Sequence, residues 1–235
     1  MNKYTYMQKS QYEIDASHWS AENRDPVVGG FDLHNNWTDY EEFLFKDIPN
    51  LETKIGIDFG CGPGRNLVQF GDKFKELHGV DIAQKNLDNA KIWIEHNQHD
   101  EKKHKLILTN GTDLSEINSS SYDVIMSTIC FQHICVHDIR FKLLQEFART
   151  LKKGGYLTMQ MGFGPQVASK TSVGYYNNHY DAEGTNGQFD TRVENVSELE
   201  SDLTKAGFTQ IKTYIRPTGP GDAHPNWIFF NAVKQ

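Results

Sequence analysis

The stretch IGIDFGCGPGRN, residues 55–66, decides how this chain is read. A short apolar run holding Asp58 ends in Gly60, Gly62 and Gly64, and a helix-like segment follows. Glycines between a strand and a helix let the backbone approach a ligand closely, while the helix N-terminus offers free N–H groups. A dinucleotide, a nucleoside triphosphate or a sulfonium nucleoside would each suit such a turn. No Lys-Ser or Lys-Thr follows the glycines, which excludes a P-loop. A dinucleotide fingerprint needs Gly-x-Gly-x-x-Gly, and Arg65 stands where its third glycine belongs. That bulk opposes close helix–strand packing, so an NAD-dependent oxidoreductase is the alternative rather than the leading reading.

From residue 54 onward, β-like and helix-like runs alternate. Strands are predicted at 54–59, 75–82, 105–110, 122–128 and 156–163. Helices are predicted after the glycine turn, over 83–98 with Leu87, Ala90 and Ile94 on one face, over 137–155 with Gly154 as C-cap, and over 197–208. This alternation implies an α/β domain: a doubly wound, mostly parallel sheet with helices on both faces. The last two strands, 209–216 and 226–234, are joined by too few residues for a crossover helix. They should form a terminal antiparallel hairpin, giving seven strands in the order 3-2-1-4-5-7-6.

Two segments lie outside that pattern. Residues 1–50 carry Trp19, Trp37, Tyr40, Phe43 and Phe45, and read either as an N-terminal cap over the ligand mouth or as packing aromatics. The domain proper is then 51–235, with an insertion at about 164–195. Loops beyond ~12–15 residues in compact domains are usually functional or disordered. This one is rich in Tyr, Asn and His, so it reads as a substrate-facing lid.

Composition narrows the function classes. A formal charge of −7 with no basic block argues against nucleic acid or an anionic membrane as partner. No apolar run approaches the ~20 residues needed to span a bilayer, and MNKYTYMQKSQYEIDASHW lacks a signal-peptide core. Three cysteines, Cys61, Cys130 and Cys135, without a CxxC spacing fit a reducing compartment and argue against structural zinc. A cytoplasmic protein, monomeric or homodimeric, is expected.

The segment Asp58-Phe59-Gly60-Cys61-Gly62-Pro63-Gly64 resembles motif I of the class I S-adenosylmethionine-dependent methyltransferases, and the resemblance extends over residues 54–234. Asp81, about 20 residues on, stands where an acid takes both ribose hydroxyls. The resemblance further implies that Ile82 packs on the adenine, that Asp113 receives the adenine amino group with Leu114 beside the ring, and that YDVIMSTICFQHI passes the methyl donor. Asp58 would position the methionine end, with Gly60, Cys61, Gly62, Gly64, Asn66 and Thr128 completing the donor site. The implied cofactor is S-adenosyl-L-methionine, with S-adenosyl-L-homocysteine as product. A lone aspartate after a strand is most often a cap or turn former, but three after successive strands exceed what capping needs. A non-catalytic S-adenosylmethionine-binding partner subunit is a further alternative, disfavoured by the intact donor motifs.

For the acceptor, His133 is the best-placed base, five residues after Thr128; the bland reading is a packing histidine. Tyr175, Tyr176, His179 and Arg192 are candidate substrate-binding residues in the insertion, with His137, His224, Tyr180 and Lys170 behind them. No Asn/Asp-Pro-Pro-Tyr, Pro-Cys nucleophile, paired-glutamate loop or Asp-Asn metal pair is evident, so no metal is expected. What remains is methyl transfer to an oxygen or nitrogen of a small molecule: a sugar, a phosphorylated metabolite or a natural-product intermediate.

Overall fold

The computed structural model describes residues 2–19, 40–167, 172–181, 190–219 and 222–235. Trp37 and Lys170 lie outside the described residues. Six helices and nine strands follow one another as α1 (Lys3–Asp15), α2 (Tyr40–Leu44), β1 (Ile55–Phe59), α3 (Arg65–Phe70), β2 (Glu76–Asp81), α4 (Gln84–His96), β3 (Leu106–Leu108), β4 (Tyr122–Ser127), α5 (His137–Thr150), β5 (Leu151–Phe163), β6 (Ser172–Gly174), β7 (Asp190–Val193), α6 (Val196–Lys205), β8 (Phe208–Pro217) and β9 (Asn226–Lys234) among the described residues.

β1 runs parallel between β2 and β4, which satisfies both of its edges and explains why this segment is apolar almost throughout. β3 extends the sheet beyond β2, and β5 lies parallel to β4. β9 then pairs antiparallel with β5 along residues 156–163, and β8 pairs antiparallel with β9. The doubly wound sheet with its terminal hairpin is therefore present. The strand count differs from expectation: the connection after β5 contributes β6 and β7, and β7 joins β5 in parallel at Gly162 and Phe163. Among the described residues the sheet has nine strands rather than seven.

Period-two alternation sends side chains to two separate cores. Ile57 and Ile125 face the layer of Leu143, Leu144 and Phe147 from α5 and Leu199 and Leu203 from α6. Val124, Met126 and Phe229 face the other layer, with Leu67 and Phe70 of α3 and Leu87, Ala90 and Ile94 of α4. The predicted apolar face of α4 is buried as expected, with Trp93 added at 0% exposure. Each buried Leu, Ile, Val, Met or Phe among them stabilises the fold by about 1.5–3 kcal/mol relative to exposure.

The helix after β4 is shorter than predicted. α5 stops at Thr150, whose Oγ1 bonds back to the carbonyls of Glu146 and Phe147, and Leu151 already pairs with Tyr122 of β4. Gly154 is consequently inside β5, at φ +74°, and is not a helix cap. Strand pairing over LKKGG outweighs the helical pattern that the same residues carry.

The aromatic N-terminal segment divides. Tyr40 and Phe43 pack on Phe229, and Phe45 packs on Phe70 and Phe74, all in the core away from the strand ends. Among the described residues of this segment, α1 and the turn after it lie at the cavity, with Gln8, Tyr12 and Trp19 in its lining. Glu13 accepts from the backbone N–H groups of Gln84 and Lys85, capping α4, which has no side-chain cap of its own. Asn89 of α4 donates to the carbonyl of Ala16 at 2.9 Å. No helix among the described residues is long and apolar enough to cross a membrane.

Candidate active site

A cavity of about 350 Å³ opens where β1, β2 and β4 end, at the point where strand order reverses. Its floor is the glycine turn. Gly60 has φ +73°, and a Cβ there would sit 2.0 Å from Cys130 Sγ, so only glycine fits. Gly64 serves differently: at φ +90° its missing Cβ leaves room for Ala90 of α4, and it does not line the cavity.

Asp81, at the end of β2, is the anchor of the turn. Its Oδ2 accepts from the Gly62 N–H at 2.9 Å, and its Oδ1 accepts from Ala83 N–H and the Asn86 side chain. Burial raises its pKa, and these bonds oppose that rise. The carboxylate lines the cavity with acceptor capacity left over, beside Ile82.

Asp58 lies behind the turn, fully buried. Asn66 donates to its Oδ1 at 3.2 Å and to Thr128 Oγ1 at 2.9 Å, while Asp58 Oδ2 has no hydrogen-bond partner. Burial pushes the Asp58 pKa up to about 7; the Asn66 bond opposes this, and the nearby Asp81 adds to it. A buried carboxyl with one unpartnered oxygen is a ready receiver for a cationic or donor group.

The acid expected at the adenine end is placed elsewhere. Asp113 does not line the cavity. Its Oδ1 accepts from Asn110 and from the Ser115 N–H, and its Oδ2 pairs with Lys142 at 3.2 Å. Slight burial would raise its pKa, but Ser115, Asn110 and Lys142 hold it down at about 2. Leu114 packs in the core. The wall there is made by Thr109 and Gly111 instead.

The opposite wall carries His133, in a 3-10 turn (Phe131–His133) after β4. Its Nδ1 lies 2.6 Å from Oδ1 of Asp190, on β7. Burial alone would lower the His133 pKa, yet the Asp190 carboxylate outweighs this and leaves it above the ordinary value. From α1, Tyr4 and Gln8 donate to the His133 carbonyl, and Tyr12 and Trp19 cover the cavity.

None of the four expected substrate-binding residues reaches the cavity. Tyr175 is buried against the Arg140 guanidinium, and Tyr176 donates to the Glu198 carbonyl. His179 holds the Cys135 carbonyl through its backbone N–H, and Arg192 bonds Ser172 and Glu194. Tyr175, Tyr176 and the His179 backbone thus fasten the insertion to the domain, and Arg192 ties the insertion to itself. His137, likewise, is bound to Asp202 at 2.6 Å. What the sequence did not reveal is the pair Gln8 and Tyr12, four apart on one face of α1, and Asp190, whose role nothing local announces.

A doubly wound sheet with a glycine turn, an acid at the end of β2 and an open cavity at the switch point is the arrangement in which α/β proteins bind nucleotides. Residues 57–159 match the methyltransferase domain family. This match and the solved structures that follow support a class I S-adenosylmethionine-dependent methyltransferase. No curated protein is a match by sequence. Among solved structures it resembles the phosphoethanolamine N-methyltransferase 2 of Haemonchus contortus, bound to phosphomonomethylethanolamine and S-adenosylhomocysteine, with TM-score 0.68 at 20% identity. All of this chain is covered in that comparison, and it spans 60% of the length of the worm enzyme. A putative methyltransferase of Haloferax volcanii, in complex with the activator Trm112, has TM-score 0.63 at 18% identity over 95% of this chain and 97% of that one. A possible histamine N-methyltransferase of Thermotoga maritima has TM-score 0.61 at 18% identity over 96% and 99%.

Proposed function

We propose that the protein transfers a methyl group to an oxygen or nitrogen of a small-molecule acceptor, with His133 as the base. The observation that carries this is the cavity itself, with the Asp81–glycine turn on one wall and a carboxylate-bound imidazole on the other. The donor's residues fit it: Asp81 lines the cavity with acceptor capacity for the ribose, Gly60 and Gly62 admit its backbone-hugging end, and Asn66, held from behind by Asp58, faces the cavity beside them. S-adenosylmethionine would supply a sulfonium-activated methyl, so the protein's share is alignment and proton removal.

The volume of about 350 Å³ is near the lower end for ligand pockets, and α1 with Tyr12 lies over it. This favours a compact acceptor over a nucleic acid or a protein side chain. The acceptors suggested by the relatives, phosphomonomethylethanolamine and histamine, are small amines, which supports nitrogen as one of the two candidate atoms. A screen of metabolite pools for transfer of labelled methyl tests the proposal. A small methylated product is expected; transfer only to protein or nucleic acid would overturn it.

A further inference from the structure

Asp190 has a second partner that acceptor chemistry does not require. Its Oδ2 lies 2.9 Å from Nε2 of His224, a residue 1% exposed in the turn before β9. One carboxylate therefore sits between two imidazoles. It is hydrogen-bonded to His224, deep behind, and lies at ion-pair distance, 2.6 Å, from Nδ1 of His133 on the cavity wall, an atom with no aligned hydrogen bond. The three residues come from three distant parts of the chain: the turn after β4, the start of β7 and the β8–β9 connection.

We propose that Asp190 and His224 are positioning residues that fix His133 with Nδ1 bound to the carboxylate and Nε2 left for the acceptor. The inference rests on the reading of His133 as base. His224 donates its Nε2–H to Asp190 Oδ2, which orients Oδ1 toward His133. The His224 ring is itself locked: a Cβ on Gly162 would lie 2.4 Å from three of its atoms, and Trp227 packs beside it with ring centroids 5.4 Å apart. Gly162 is the residue at which β7 joins β5, so the strand that supplies Asp190 and the ring that braces it meet at one point.

A neutral histidine with Nδ1–H donated to a carboxylate presents a lone pair on Nε2, the form a base must have. The other groups around His133 do not offer a competing charge for Nδ1. Tyr4 and Gln8 of α1 bind its backbone carbonyl, Tyr12 lines the same cavity, and Cys130 and Cys135 flank it in sequence. Arg140 of α5 is spent on the carbonyls of Ile134 and Tyr175 and on Thr191. Both Asp190 and His133 shift in the directions that mutual pairing produces: burial would raise the Asp190 pKa, yet His133 and His224 bring it well below the ordinary range.

The test is the nitrogen-15 NMR signal of His133 in the protein alone and with S-adenosylhomocysteine, for wild type, Asp190→Asn and His224→Leu. In wild type the neutral form is expected to carry its proton on Nδ1. Asp190→Asn should move the His133 titration down by about 1–3 pH units, because burial is left unopposed. His224→Leu should move it in the same direction by less, with S-adenosylhomocysteine affinity within about twofold of wild type in both variants. An unmoved His133 signal in either variant overturns the role of that residue. A neutral wild-type His133 protonated on Nε2 overturns the proposal whatever the variants do, including if they fail to fold. The readout is independent of turnover: His133 fixed as described in a protein whose His133→Ala variant keeps full activity would overturn the base and leave the positioning intact.

Discussion

The N–H of Gly62 donates to Oδ2 of Asp81 at 2.9 Å, so the glycine turn after β1 is pinned by the acid that ends β2. Two elements separated in sequence thus share one rigid corner, and the same carboxylate that shapes the turn faces the cavity.

Asp81→Ala is expected to remove both functions. It deletes the acceptor proposed for the ribose hydroxyls and leaves the Gly62 and Ala83 N–H groups without their partner. Hydrogen bonds to a charged group contribute about 1.5–3 kcal/mol each, so S-adenosylhomocysteine affinity should fall by about 100-fold or more. Titration calorimetry measures this; unchanged affinity would remove Asp81 from the donor site.

Gly60→Ala should damage the turn itself. The added carbon meets Cys130 Sγ at 2.0 Å in a left-handed backbone conformation, and such overpacking with strain costs about 1–3 kcal/mol. Denaturant unfolding checks the stability loss. Gly60→Ala combined with Cys130→Gly should recover part of it, because Sγ and Cβ of Cys130, at 2.0 and 2.5 Å, are both in the way.

His133→Ala should lower kcat by about 10²–10⁴-fold while S-adenosylhomocysteine binding stays within about twofold, once an acceptor is in hand. Loss of donor affinity in step with kcat would show the residue to be structural.

Asp58 gives a pH signature without any acceptor. Its folded pKa, about 7, lies above the ordinary carboxylate value, so the native state binds a proton that the unfolded chain has released. Its stabilising contribution is complete below the unfolded value and is lost as pH rises through the folded one. Between about pH 4 and pH 7 the ligand-free protein should therefore lose Tm relative to an Asp58→Asn variant. Thermal unfolding of both across that window is the check; parallel curves would show that the carboxyl is not shifted.

Glu13→Ala should loosen α1. The carboxylate caps the N-terminus of α4 from another element, and such caps contribute about 0.5–2 kcal/mol. Limited proteolysis within α1 should become faster, and S-adenosylhomocysteine should protect less than in wild type. Unchanged cleavage would mean that the Asn89–Ala16 contact and the packing of α1 suffice.

The central fold was legible because its signals are local. IGIDF is apolar as a strand buried on both faces must be, and Leu87, Ala90 and Ile94 recur at the helical period. Boundaries were less so: LKKGG carries a helical tail in sequence and a strand in the sheet, because pairing with β4 decides it. In the site, Gly60, Cys61, Gly62, Asn66, Asp81, Ile82, Thr128 and His133 were named from motif and spacing, and the structure gathers them around one cavity, with Asp58 behind the turn and bonded to Asn66. Asp113 was misplaced because an acid in a short turn has local partners, Asn110 and Ser115, that compete for it.

The sequence by itself determined the alternation of strand and helix, the glycine turn and the donor-side acid, since each is written in a few adjacent residues. Tertiary structure alone decided which residues face the acceptor. Tyr175, Tyr176, His179 and Arg192 look like a binding lid in the sequence, yet they are consumed in fastening the insertion. Gln8, more than 100 residues before His133, reaches its carbonyl from α1, Tyr12 of the same helix lines the same cavity, and β7 brings Asp190, 57 residues after His133, beside its ring. Backbone conformation depends on near neighbours, but the environment of a buried imidazole depends on which distant strands the sheet sets side by side.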